Sequence, residues 1–245
     1  MFKSVPESGK EQFLTTHWSI VLEASLNNSQ GAYSALSWLC KTYWYPIYAY
    51  VRRQGYNPTD AADSTQGFFE RLLEKNYMAD VNRDKGKFRS FLLAALKHFL
   101  SNERDHARAV KRGGGQSPIS FDQTDAEKRY RLEPVEKMSA DKIFERRWAL
   151  TLLDQVLGSL RQEYADSGRI EIYELLKDRL IGASDTVPYT ELAATLNMNT
   201  GAVEVLVHRM RRRYRDLLRM KIAETVSSQD EIEDEIRQII TILSS

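Results

Sequence analysis

Apolar residues recur at helical spacing along most of this chain. Trp18 to Leu26 reads as a short helix. Ala32 to Arg53 is a longer one, with Ala35, Leu36, Leu39, Tyr43, Ile47 and Tyr50 on one face. Pro46 falls inside it and predicts a kink or a break. Tyr43, Trp44, Tyr45, Tyr48 and Tyr50 cluster there; aromatics at this spacing read as core before they read as a base-stacking platform. Asn57-Pro58-Thr59-Asp60 starts the next helix, with Asn57 as N-cap and Asp60 near the positive end of the dipole. Its apolar face is Ala61, Ala62, Thr65, Phe68, Phe69, Leu72 and Leu73. Asp63, Gln66, Glu70 and Arg71 fall on the other side, as a solvated face or a docking face for a basic partner.

After a turn at Arg83 to Lys87, Phe88, Phe91, Leu92, Ala95, Leu96, Phe99 and Leu100 form an apolar stripe. Lys97, Ser101, Arg104 and Arg108 share the opposite face, a basic row able to track a phosphate backbone. Gly113 to Ala140 is polar and interrupted by Pro118 and Pro134, and reads as a flexible interdomain connection. Helices resume near Asp141. One long helix carries Ile143, Trp148, Leu152, Leu153, Val156, Leu157 and Leu160 inward. Gly168 separates it from a second helix, Ile170 to Ile181, and a loop follows to Pro188.

The segment from Tyr189 is the most informative. Thr190 to Leu196 is a short helix, Asn197-Met198-Asn199 a tight turn, and Asn199 the cap of a second helix. That helix turns Val203, Leu206 or Val207, Met210, Tyr214 and Leu217 inward and ends in Arg209, Arg211, Arg212, Arg213 and Arg215. This is the pattern of a helix-turn-helix. Its N-terminal end, with Thr200, Gly201, Glu204, Val205 and His208, faces base edges in that geometry; Arg211, Arg212 and Arg215 reach phosphates.

Charge sharpens the picture. The formal net charge is +1, but residues 83–112 carry +6, residues 209–221 carry +6, and residues 222–245 carry -5. Two separated basic blocks suggest two contacts with a polyanion. In the acidic tail, Ile232, Ile236, Ile239, Ile240 and Leu243 sit at helical spacing. The tail is either a capped helix packed on the last domain or a regulator that covers Arg211 to Arg215.

Composition narrows the class. The 245 residues allow one or two domains. No apolar run approaches the ~20 residues of a membrane helix. The N-terminus lacks the apolar core of a secretory signal, so a cytoplasmic location is expected. The single cysteine, Cys40, excludes an internal disulfide framework. No metal site, phosphate loop or catalytic carboxylate pair stands out, so neither cofactor nor catalysis is expected.

Three segments together carry a family resemblance. Asp60-Ala61-Ala62-Asp63-Ser64-Thr65-Gln66-Gly67-Phe68-Phe69-Glu70-Arg71-Leu72-Leu73 resembles the polymerase-docking helix of bacterial RNA polymerase sigma factors. Phe88-Arg89-Ser90-Phe91-Leu92-Leu93 and the basic helix after it resemble the promoter-melting, minus-ten-reading helix. Tyr189 to Leu218 resembles the minus-thirty-five-reading helix-turn-helix. Their order and spacing are those of the extracytoplasmic-function (ECF) group. The resemblance implies an all-α protein of two helical domains: 1–112 for docking and the minus-ten element, 113–140 as linker, 141–221 with the helix-turn-helix, and 222–245 as an acidic helical extension.

It further implies that the chain binds core RNA polymerase and promoter DNA. Asp60, Asp63, Gln66, Phe69 and Leu72 fall where the family docks on polymerase. Lys97, His98, Asn102 and Arg104 fall in the minus-ten helix, followed by Arg108, Lys111 and Arg112. Regulation by an anti-sigma factor, or by the tail itself, belongs to the same expectation. The chain departs from its relatives at Glu204, Val205 and Leu206, where many carry basic or hydroxyl residues. Phosphate grip then rests on Arg209 to Arg215. The rival readings are a helix-turn-helix regulator that needs no polymerase, a nucleic-acid enzyme, and a helical adaptor.

Overall fold

The computed structural model describes residues 30–73, 87–109, 123–131, 138–180, 187–226 and 228–244. The helix expected at 18–26, Lys111 and Arg112 lie outside the described residues, as does the side chain of Arg108. Among the described residues all regular structure is helical: α1 (Gln30–Arg53), α2 (Pro58–Leu73), α3 (Phe88–Ala109), α4 (Gln123–Arg131), α5 (Ala140–Asp166), α6 (Ile170–Leu176) with a 3-10 turn at Lys177–Arg179, α7 (Tyr189–Thr195), α8 (Thr200–Ala223) and α9 (Glu231–Ser244).

The first core forms where α1, α2 and α3 turn their apolar faces together. Leu39, Tyr43, Ile47 and Tyr48 of α1 meet Phe68 and Leu72 of α2 and Phe88, Leu92 and Leu96 of α3. α1 runs through Pro46 as one helix. Proline costs a helix interior about 3 kcal/mol, and burial of Tyr43, Trp44, Ile47 and Tyr48 on either side of it outweighs that cost. α2 starts as its sequence predicts: the Asp60 backbone N–H donates to Asn57 Oδ1 at 2.9 Å, and Asn57 Nδ2 donates back to Asp60 Oδ2 at 2.7 Å.

The stretch 113–140 is not all connection. α4 lies within it, and Ala126 is buried in the first core. Glu127 fastens this short helix to α1: it accepts from Tyr48 Oη at 2.8 Å and from Arg52 Nε and Nη2 at 2.9 and 3.0 Å. α4 has almost no apolar stripe, so periodicity did not mark it.

α5 belongs to both cores. Phe144, Trp148, Ala149 and Leu152 lie in the first, Val156 and Leu160 in the second. The passage between cores therefore falls inside a continuous 27-residue helix rather than in a flexible segment before it. α5 ends where Gly168 takes φ +68°; Gly168 N–H donates to Ala165 O at 2.9 Å and Arg169 N–H to Tyr164 O at 2.7 Å. This pair of bonds is a Schellman cap, and the left-handed position suits glycine.

The second core gathers Tyr173 and Leu176 of α6, Leu192 and Ala193 of α7, and Val203, Val207 and Met210 of α8. The lower end of α8 leaves it: Ile222, and Val226 just beyond the helix, are buried in the first core. α9 follows them there with Ile239 and Ile242. The acidic tail is thus a helix packed on α5 and the foot of α8, where the first core reaches them, and Glu235 extends from it to Arg89 of α3.

Candidate nucleic-acid interface

The junction of α7 and α8 is built by local capping. Asn197 takes φ 51°, so α7 stops and the chain reverses. Met198 N–H donates to Ala193 O at 2.9 Å and Asn197 N–H to Ala194 O at 3.2 Å, a second Schellman cap. Asn199 then caps α8, accepting from the Ala202 backbone N–H at 2.7 Å. Buried Leu192 and Ala193 hold α7 against Val203 and Val207.

With that inner face fixed, the start of α8 points to solvent. Thr200, Gly201, Glu204, Val205 and His208 are all exposed, Val205 by 48%. Further along, successive arginines diverge because each residue turns the helix by 100°. Arg211 donates from Nε and Nη2 to the Arg179 carbonyl at 3.2 and 2.8 Å. Arg213 turns the other way and grips Glu163 of α5 at 2.8 and 2.5 Å. That bond holds the Glu163 carboxyl below the usual glutamate range. Arg209, Arg212 and Arg215 are exposed, and no hydrogen bond or ion pair ties them to another described residue. Their charge is available to a polyanion.

The outer face of α3 is less purely basic than its sequence. Lys97, His98, Asn102 and Arg104 are exposed, but Lys97 donates to Asp141 of α5 at 2.6 Å. That partner raises the Lys97 pKa above its ordinary value. Arg104 lies over the Tyr56 ring at 5.7 Å and donates to Gln54 Oε1 at 3.3 Å. Gln54 and Tyr56 stand in the α1–α2 turn, where no periodic signal could have marked them.

Arg89, part of the basic block in the sequence, is withdrawn from this surface. It is 2% exposed and sits 4.7 Å above the Trp148 ring. It donates to Glu235 of α9 at 2.7 and 3.3 Å and to Glu145 of α5 at 3.0 Å. Lys87 also pairs with Glu235.

The docking residues divide. Asp60 and Asp63 are exposed on α2, and Gln66 is half-buried and donates to Glu70 at 3.1 Å. Phe69 and Leu72 are buried in the first core. They face α1 and α3 because they share the stripe of Phe68, and so they cannot touch a partner without unfolding α2. The expected docking set therefore loses both.

Among the described residues α9 makes no hydrogen bond or ion pair to Arg211, Arg212, Arg213 or Arg215 of α8. Its ion pair to that helix is Arg219–Glu233 at 2.5 Å, below the Arg211–Arg215 surface. Cys40 is buried, and among the described residues no cluster of His, Cys, Asp or Glu could hold a metal ion. No described helix is long and apolar enough to cross a membrane. No protein-family model, curated protein or solved structure matches the chain.

Proposed function

We propose that this protein is a transcription initiation factor. It binds core RNA polymerase and directs it to promoters through a minus-ten and a minus-thirty-five element. One observation carries the reading: directly after a capped three-residue turn, α8 presents an exposed base-reading end and then the uncommitted cations Arg209, Arg212 and Arg215. That order suits a helix whose N-terminal residues enter the major groove while its later arginines meet phosphates.

On this reading Glu204 and Val205 set the base preference. A carboxylate accepts from the cytosine N4 amino group, and an exposed valine packs on a thymine methyl. On α3, His98, Asn102 and Arg104 face the minus-ten strand, with Tyr56 beside Arg104 as an aromatic surface for an unstacked base. Asp60, Asp63 and Gln66 form the part of α2 available to polymerase.

Transcription by purified core polymerase, with and without the protein, tests this. New transcripts with defined start sites are the expected result. Sequence-specific binding to duplex DNA with no capture of core polymerase would instead make the protein a helix-turn-helix regulator.

A further inference from the structure

We infer that Gln54 and Tyr56, in the turn between α1 and α2, hold the Arg104 guanidinium as a fixed fork that reads a guanine of the minus-ten strand by its O6 and N7 edge. The inference rests on the proposed function and names the base that this part of α3 selects.

The fork is anchored in a buried side chain. α1 ends where Gly55 takes φ +94°, and the Gln54 backbone N–H donates back to Tyr50 O at 3.1 Å. That reversal sets Gln54 and Tyr56 against Arg104 of α3. Tyr50 is 3% exposed, and its Oη accepts from Gln54 Nε2 at 3.3 Å. Gln54 Oε1 in turn accepts from Arg104 Nη2 at 3.3 Å. Chemistry fixes the sense of this amide: a guanidinium carries no acceptor, so only the carbonyl oxygen can face it. Tyr56 holds the same group from beside. Its Oη accepts from Arg104 Nε at 3.4 Å, and the guanidinium stands 5.7 Å from its ring centroid. The Tyr56 carbonyl is itself held by Arg52 Nη1.

These bonds decide which edge of Arg104 stays open. Nε and Nη2 form one side of the guanidinium, and both are turned to the protein. The end-on pair, Nη1 with the second N–H of Nη2, makes no bond to another described residue, and the side chain is exposed. Two parallel donors need two acceptors side by side. Guanine offers them at O6 and N7, whereas adenine puts a donor at N6 and cytosine one at N4, and thymine brings a single oxygen beside its methyl group. The holding groups are neutral, so they orient Arg104 without cancelling its charge, unlike Asp141 at Lys97. Charge alone serves a phosphate, as proposed for the untethered Arg212. A guanidinium fixed in one direction serves a base edge, whose acceptors lie in one direction.

Single-strand binding by the full chain tests this, read by fluorescence anisotropy across a salt series. Short labelled oligo-dT strands carry one central replacement by dG, dA, dC or 7-deaza-dG, which lacks the N7 acceptor. Wild type is expected to hold the dG strand about tenfold tighter than the others, 7-deaza-dG included. Gln54→Met keeps the bulk and removes both amide bonds. It should lose the preference and keep the slope of log K against log salt, which a purely structural role would not separate. Arg104→Ala should lose the preference and lower that slope by about 0.7. Both side chains are exposed, so the unfolding midpoints should stay at the wild-type value. A guanine preference retained by Gln54→Met would overturn the positioning role. A slope lowered by Arg104→Ala with no base preference in wild type would make Arg104 a phosphate contact, overturning the inference and leaving the proposed function standing. Equal binding by wild type and Arg104→Ala would overturn the inference together with the minus-ten role of α3. A guanine preference in a chain that gives no transcript with core polymerase would support the fork and overturn the proposed function.

Discussion

Three consecutive arginines of α8 show how little a run of like residues says about what each one does. Arg211 is held by a carbonyl, Arg213 by Glu163, and Arg212 between them faces water. Arg212→Ala should therefore weaken duplex binding and lower the slope of log K against log salt by about 1, as the loss of one phosphate contact does. Arg213→Ala should leave that slope nearly unchanged and cost about 0–1 kcal/mol of stability, the range of an exposed ion pair. Fluorescence anisotropy across a salt series separates the two. Glu127 supplies a pH signature. Arg52, and then Tyr48, donate to its carboxylate and hold its pKa below the ordinary glutamate value. A depressed folded pKa contributes stability at neutral pH that is lost as pH falls through the folded value. Wild type should exceed Glu127→Gln in urea midpoint above about pH 5, and the gap should shrink at and below the ordinary range near 4.3. A gap constant from pH 7 to pH 3 would deny the ion pair its role. The turn between α7 and α8 and the Asn199 cap were legible in Asn197-Met198-Asn199, because both are made within a few residues. The burial of Arg89 was not, because its carboxylate lies 146 positions away.

The helices differ in how far their own sequences announce them. α2, α3 and α8 carry an apolar stripe and were placed within a few residues. α4 offers only Ala126 and Tyr130, one turn apart, and is held by them and the Glu127 bonds, so its sequence resembles linker. α9 was legible as a helix packed on the last domain, where it lies against α5 and α8, but not in the reach of Glu235 to Arg89 of α3. An amphipathic face states that it needs cover and does not state which core supplies it. Its position decides between the two readings of the tail. Removing everything after Val226 would strip Glu235, Ile239 and Ile242 from the first core and leave Arg89 without its main carboxylate. Breaking a buried pair from one side typically costs about 3–5 kcal/mol. The truncated chain should unfold at markedly lower denaturant, and its remaining folded fraction should bind duplex DNA with an unchanged salt slope. A tighter complex with a steeper slope would mean that the tail screens Arg211 to Arg215 after all.

At the scale of the whole molecule, two cores sharing one continuous helix place the exposed edge of α2 and the exposed start of α8 on different cores. The sequence implied that separation through the order of its segments. It could not show that α5 bridges the cores, because the apolar stripe of α5 continues without change from Phe144 to Leu160. The separation makes the two proposed contacts experimentally independent. Asp63 is exposed, and its helix is anchored from the opposite side by Phe68, Phe69 and Leu72. Reversing its charge leaves the core untouched and alters only what approaches that edge. Asp63→Arg should weaken capture of core polymerase at least tenfold, with the unfolding midpoint and duplex affinity unchanged. Phe69→Ala should also reduce capture, but through a loss of about 3–5 kcal/mol of stability, visible in the same denaturation curve. Intact capture by Asp63→Arg together with collapsed DNA binding would mean that polymerase and promoter had been assigned to the wrong faces.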